Sequence, residues 1–254
     1  MFNIIFYFYF IIKYKTKKIL KYYSSLFPVS KEQLSFLVNS VNDNKNASFL
    51  DIECGLSDIG YEIAKKGFNV TAIESHPDFI NLLNKKNKKL KDNFKTSSFS
   101  TMDIARRFGK NKFDVAFCIN SRLLAIQDPI LLTKFFFDTK IALKDGGILV
   151  VDLFNMSKVY SQDKIIFPLR KTAKHSLLVN LTRNDLTYEL NATFVKNNKK
   201  EIPILQNEPS YPFTKQTIEN KAKEVKFSSV EFYSDYNKTP FTENSERIIC
   251  VLKK

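Results

Sequence analysis

Four short apolar runs constrain this chain more than anything else in it: "FLDIE" (49–53), "NVTAIES" (69–75), "FDVAFCIN" (113–120) and "ILVVDLFN" (148–155). Each is too short for a helix, and each is apolar on both faces. Strands of that kind are buried on both sides, as in a parallel sheet covered by helices. The segments between them carry helical spacing. "SKEQLSFLVNSV" offers Ser30 or Lys31 near its cap, "DIGYEIAKKG" closes on Gly67, and "HPDFINLLNKKNKKL" and "PILLTKFFFDTKIAL" each have proline in the first turn. "FKTSSFS" (94–100) reads as a weaker third strand. Strand and helix in alternation predict an α/β, doubly wound, Rossmann-like and mostly parallel sheet.

The pattern changes after about residue 158. "HSLLVNLTRNDLTYELNATFVKNNKKEIPILQ" reads as three antiparallel strands with turns near "RND" and "KNNKK". A helix, "TKQTIENKAKEV", and two strands, "FSSVEFYSDY" and "SERIICVLKK", close the chain. The expected organisation is a leader at 1–18, a core at 19–158, a small antiparallel β lid at 159–212, and a helix with a reversed hairpin at 213–254 that completes the core sheet.

The leader, "MFNIIFYFYFII" followed by "KYKTKK", is shorter than the ~20 residues a membrane span needs. Its basic residues follow the apolar run, which is a poor fit to a secretory signal. An interfacial anchor on a membrane surface, an early start and a helix packed on the body all remain open. The net charge is +14, but the lysines are spread along the chain, the densest run being "KKNKKLKDNFK". That favours a solvated helix face over a nucleic-acid stripe. Cys54, Cys118 and Cys250 are far apart, without metal-ligand spacing, and read as buried free thiols of a cytoplasmic protein. With His76 and His175 the only histidines, no metal site is expected.

The stretch "FLDIECGLSDIG" poses the functional question. In an open parallel sheet, ligands bind beyond the carboxyl ends of the strands, where the first turn brings backbone close to a cofactor. Glycine is favoured at alternate positions there, yet this turn carries Glu53, Gly55 and Ser57. Glu74 ends the second strand 19 residues after Gly55, near the spacing of an acid that takes ribose hydroxyls.

Together these segments resemble the class I S-adenosylmethionine-dependent methyltransferases, in particular small-molecule members with a β lid. The resemblance covers roughly residues 20–254. "YYSSLFP" (22–28) resembles the family's lid-forming stretch, "FLDIECGLS" stands where "VLDLGCGTG" is usual, and "YSDYNKTPFTENSERIICVLKK" resembles its last hairpin. The resemblance implies S-adenosylmethionine as cofactor, with Asp51, Glu53, Cys54, Gly55, Ser57, Glu74, Met102, Asp103 and Asn120 as the binding set. It leaves catalysis to alignment, with Tyr22, Tyr23, Arg122 and Asn155 as candidates near the lid.

Four departures stand out. Glu53 and Ser57 replace glycines, and Thr101-Met102 stands where Asp-Met is frequent, with Asp103 two residues late. "NSRLLAI" has an inserted arginine and no histidine. If Glu53 faced the cofactor's amino-acid end, two carboxylates about 5 Å apart would repel by about 3 kcal/mol at an effective dielectric of about 20. Three functions follow in order: a methyltransferase on a small-molecule acceptor, a non-catalytic binding module that keeps the fold, and an RNA methyltransferase. The acceptor and the oligomeric state are not legible.

The resemblance begins only near residue 20, so a chain lacking residues 1–16 is expected to fold and stay soluble. Expression of both lengths, with liposome flotation, checks this. Flotation of the full chain alone would identify an anchor, and aggregation of the short form would make the leader part of the core.

Overall fold

The computed structural model describes residue 20 and residues 22–254, apart from 43, 87–91, 159, 168–169, 174, 185–186 and 197. The leader at 1–18 therefore lies outside the described residues. A short helix α1 (Tyr23–Leu26) is followed by α2 (Lys31–Asn39), β1 (Ser48–Ile52), α3 (Asp58–Lys65), β2 (Asn69–Ile73), α4 (Pro77–Lys86), β3 (Phe94–Ser97), α5 (Ile104–Phe108), β4 (Phe113–Cys118), α6 (Pro129–Ala142) and β5 (Leu143–Phe154). Next come β6 (Lys164–Ile166), β7 (Arg170–Lys171), β8 (His175–Asn184), β9 (Thr187–Lys196) and β10 (Glu201–Ser210), then α7 (Lys215–Glu224), β11 (Ser229–Tyr233) and β12 (Arg247–Lys253).

Seven strands form one sheet in the order β11-β12-β5-β4-β1-β2-β3. The pairs β4–β5, β1–β4, β1–β2 and β2–β3 are parallel, while β12 runs antiparallel to β5 and to β11. The reversed terminal hairpin is thus present. The chain leaves β1 outward to β3 and returns on the other side through β4, which puts the topological switch point between β1 and β4.

Period-two alternation explains why these strands are apolar on both faces. Leu50 and Ile52 of β1, and Ala116 and Cys118 of β4, pack with α6 and α7 in one core cluster. Phe49 of β1 and Val115 and Phe117 of β4 pack with α2, α3 and Leu83 of α4 in another. All three cysteines are buried and free.

Local signals set the helix starts. Ser30 accepts from Gln33 N at 3.0 Å and Gln33 Oε1 accepts from Ser30 N at 3.2 Å, a complete capping box. Asp128 caps α6 by accepting from Ile130 N at 2.6 Å, with Pro129 in the first turn. Strand β5 begins at Leu143, earlier than "ILVV" suggests, and runs through Gly146 and Gly147. The 3₁₀ turn at Thr101–Asp103 and the short α5 carry no clear periodicity and are not legible beforehand.

The second sheet, β10-β9-β8-β6 with β7 also on β8, is antiparallel throughout. Its inner face, including Leu177, Val179, Leu181 and Phe194, packs on Leu26, Leu124, Phe154 and Met156 of the core. Phe154 and Phe167 stack at 4.4 Å, 11° from parallel. The lid therefore sits on the carboxyl end of the main sheet. Among the described residues no helix is long and apolar enough to cross a membrane.

Phe136 of α6 is fully buried and meets Phe227 edge-on at 6.0 Å, joining α6 to the segment that leads into β11. Phe136→Ala is expected to destabilise the protein by about 3–5 kcal/mol, measured by urea unfolding.

Candidate active site

Three connections end at the switch point: the turn after β1, the end of β2 and the turn after β4. The turn after β1 contains the central observation. Glu53 (φ 49°), Gly55 (φ 58°) and Ser57 (φ 46°) are all left-handed. These are the alternate positions at which glycine is favoured in such turns, so the backbone shape persists although two glycines are gone. A left-handed non-glycine residue costs roughly 1–2 kcal/mol. Ser57 offsets part of this, since its Oγ donates to Asp51 Oδ2 at 2.5 Å and its N–H to the carbonyl of Cys54 at 2.8 Å.

Asp51 is 2 % exposed, and burial pushes its carboxyl up to about 7 against the pull of Ser57. Gly55 cannot be replaced in this way. A Cβ there would lie 2.3 Å from the hydroxyl oxygen of Tyr23, whose ring closes over the turn.

Glu74 is 1 % exposed and holds the three connections together. Its Oε2 accepts from Gly55 N at 2.8 Å and from Arg122 Nη2 at 2.9 Å, and its Oε1 accepts from His76 N at 2.9 Å. Arg122, from the turn after β4, also donates Nε to the carbonyl oxygen of Glu53 at 2.9 Å. Its guanidinium lies 5.9 Å from the ring centre of Tyr23 and 5.4 Å from that of Phe79.

The Glu53 side chain turns toward Ser75, whose Oγ donates to Oε2 at 3.2 Å. Burial and the neighbouring Glu74 push its carboxyl up to about 8. This upward push weakens the charge that would have repelled a cofactor carboxylate, so the 3 kcal/mol penalty does not apply in full. Burial also raises Cys54 and Cys118, which argues against a thiolate at this site.

Asn120 and Ser121 are both left-handed at φ 60°, and a buried acid supports them. Asp152 accepts from Asn120 N at 3.2 Å, its backbone carbonyl accepts from Ser121 N at 2.9 Å, and Ser121 Oγ accepts from Phe154 N at 3.1 Å. Arg247 pairs with Asp152 Oδ1, and Tyr236 donates its hydroxyl to Oδ2 at 2.9 Å. Asp152, Tyr236, Arg247 and Phe79 were missed at the level of sequence. A lone acid in "VVDLF" is the one signal that could have pointed to this support.

Tyr23, Asp51, Glu53, Cys54, Asn120 and Arg122 share one cleft of about 370 Å³ including its open mouth, with Gln33 also on its wall. Gly55, Ser57 and Glu74 are buried just behind its wall and do not line this cleft, and neither do Met102, Asp103, Asn155 and Tyr22. Asp103 Oδ1 accepts from Arg106 at 3.0 Å, and Met102 lies against the core. Asn155 Nδ2 donates to the carbonyls of Glu243 and Ser245 at 2.9 and 2.7 Å, which bolts the final hairpin loop to the end of β5. Tyr22 stacks on Phe194 at 4.6 Å and meets His175, also of the second sheet, at a tilt of 42° and 4.5 Å.

A family model described as a methyltransferase domain matches residues 43–216. No curated protein matches the chain. Among solved structures, an S-adenosylmethionine-dependent methyltransferase from Clostridium acetobutylicum superposes with a TM-score of 0.72 at 17% identity, covering 94% of this chain and 98% of that one. The CcbJ methyltransferase of Streptomyces caelestis gives 0.70 at 13% identity, over 89% and 90% of the two chains. An amino pentose methyltransferase of calicheamicin biosynthesis from Micromonospora echinaspora, solved with S-adenosylmethionine bound, gives 0.64 at 12% identity over 92% and 96%.

The raised carboxyl of Asp51 has a sign that stability measurements can read. A folded-state value near 7 against 3.8 in the unfolded chain means that the folded state holds the proton more tightly. This contribution to stability is present in acid and is lost as pH rises from about 4 to 7, with a slope of at most about 1.4 kcal/mol per pH unit. Asp51→Asn, which can still accept from Ser57, is expected to flatten the fall over that window. Unfolding free energies of both forms at pH 5, 6, 7 and 8 check it.

Proposed function

The chain belongs to the methyltransferase-domain family, and from that premise we propose that it transfers a methyl group from S-adenosylmethionine to a small-molecule acceptor. The observation that carries this reading is Glu74: a buried acid at the end of β2, bonded to the N–H of the one glycine kept in the turn after β1. The residues around it fit such a cofactor. The left-handed turn at 53–57 presents backbone, and Gly55 leaves room where a Cβ would collide. Glu74 would accept the ribose hydroxyls, and Asn120, positioned by Asp152, would form the facing wall.

S-adenosylmethionine, when bound, supplies an electrophilic methyl group. The chain's own part is alignment and exclusion of water. The apolar inner face of the second sheet, seated beyond β4 and β5, suits the second task and would shape the acceptor site. The amino pentose acted on by the structural neighbour supports a small, polar acceptor. Domain boundaries follow the same reading, with 159–212 as the acceptor-facing lid inserted before the final helix and hairpin.

A non-catalytic reading has one observation in its favour. Arg122 occupies Glu74, the group the ribose would need. An RNA acceptor has only the net charge behind it.

Calorimetric titration with S-adenosylmethionine separates these readings. Saturable binding is expected, weakened in Glu74→Ala by about 10- to 100-fold through loss of charge-assisted hydrogen bonds. Absence of binding at millimolar cofactor would favour the non-catalytic reading.

A further inference from the structure

Arg122 and a ribose would compete for one carboxylate. Besides the side-chain hydrogen bond it shares with the Glu53 carboxyl, Glu74 takes three, from Gly55 N, His76 N and Arg122 Nη2. An ionised carboxylate offers about four lone-pair sites, and a ribose diol needs two. The two backbone donors belong to the fold, so the bonds that must yield are the side-chain ones, from Arg122 and from the Glu53 carboxyl.

A guanidinium released into a half-buried cleft needs another anion, because an unpaired buried charge is costly. Besides Glu74, the acids that feel the charge of Arg122 are Asp51 and Glu53; Asp51 is already bonded to Ser57 Oγ, whereas Arg122 Nε already holds the Glu53 carbonyl oxygen at 2.9 Å. The Glu53 carboxyl meanwhile rests on Ser75 Oγ at 3.2 Å. A small rotation about the Nε anchor could then exchange one carboxylate for the other.

Resting on the reading of this cleft as a cofactor site, we infer that Arg122 is a gate that passes from Glu74 to the side chain of Glu53 when a ribose takes Glu74. Glu53 stands in a glycine position to receive it. The glutamate that looks like damage in the turn is then the counterpart of the inserted arginine after β4, and neither departure is independent of the other.

The exchange has a proton balance. The groups that interact with Glu53 are Cys54 from the turn after β1, Glu74 and Ser75 after β2, and Cys118 and Arg122 from β4 and its turn, while Asp51 of β1 and Tyr23 of α1 share its cleft. With Arg122 on Glu74, the Glu53 carboxyl hydrogen-bonds to that of Glu74, a bond that needs a proton between them, and burial and Glu74 push Glu53 upward so that it holds this proton. Once it receives Arg122, it gives that proton to solvent and pairs as the carboxylate. Cofactor binding at pH 7 therefore releases up to one proton.

Calorimetry with S-adenosylhomocysteine, in two buffers of different ionisation enthalpy at pH 7, reads affinity and proton release together. Arg122→Leu is expected to tighten binding about tenfold by removing the competitor. Glu53→Gln is expected to weaken it by a similar factor and to abolish proton release. In the Arg122→Leu background, Glu53→Gln should change affinity by less than about twofold, because nothing is left to receive. Thermal unfolding checks that each variant folds, and Arg122→Gln carries the same expectation if Arg122→Leu does not.

Tighter binding in Glu53→Gln, weaker binding in Arg122→Leu, or unchanged proton release in Glu53→Gln overturns the gate. Wild-type binding that Arg122→Leu leaves unaltered removes the gate alone. No binding in either wild type or Arg122→Leu removes the cofactor reading, and the gate with it.

Discussion

The carboxylate of Glu74 is the constraint on which the site depends. It is almost wholly buried at the end of β2, and a buried carboxylate is tolerated only when donors surround it. Its donors come from three separate pieces of chain: Gly55 after β1, His76 at the start of α4, and Arg122 after β4. Parallel pairing fixes the strands that lead to these pieces but leaves the turns themselves free. Glu74 removes that freedom, and the cleft takes its shape from the distances it imposes.

The turn after β1 shows how a backbone shape can outlive the residues that usually make it. Left-handed glutamate and serine stand at 53 and 57, each at a steric cost of roughly 1–2 kcal/mol. Gly60, one turn into α3, is part of what makes this tolerable. A Cβ there would lie 2.4 Å from Ser57 Oγ and 2.8 Å from Asp51 Oδ2, so its absence gives the serine–aspartate pair its space. Arg122 Nε adds a bond to the carbonyl of Glu53 and so holds the first strained residue from the other side of the switch point.

Features written in local sequence were legible, and features that depend on distant partners were not. Phe49 and Leu50 are adjacent apolar residues that enter opposite core clusters, as a strand buried on both faces requires. Ser30 and Gln33 form the capping box that their spacing announces. The spacing of Glu74 from Gly55 marked it as an acid for ribose hydroxyls, whereas its bond to the N–H of Gly55 is a feature the spacing alone does not give. Arg122 is different. Its partner lies 48 residues earlier, and nothing in "NSRLLAI" indicates whether it turns to solvent, to an acceptor or inward. Asn155 and Asp152 are three residues apart on one strand end, yet one bolts a loop and the other supports the turn after β4, a distinction set by residues beyond 230. The direction of the Glu53 side chain was equally hidden, because it follows from a left-handed backbone that glutamate seldom adopts.

The same burial that makes Glu74 useful creates a conflict between stability and access. Removing one partner from a buried ion pair costs about 3–5 kcal/mol, a large part of the 5–15 kcal/mol that holds a typical domain folded. A fold that seats an acid so deeply therefore gains by keeping a cation on it whenever no ligand is present, and Arg122, set against the Tyr23 and Phe79 rings, is placed to serve. Ribose hydroxyls are dipoles, so they can satisfy the oxygens of Glu74 without neutralising its charge. A cation that departed altogether would leave that charge uncompensated in a low-dielectric cleft. The arrangement that satisfies both demands keeps Arg122 within reach of Glu74 while freeing its lone pairs, and the carboxyl group beside the carbonyl that Arg122 already holds is that of Glu53.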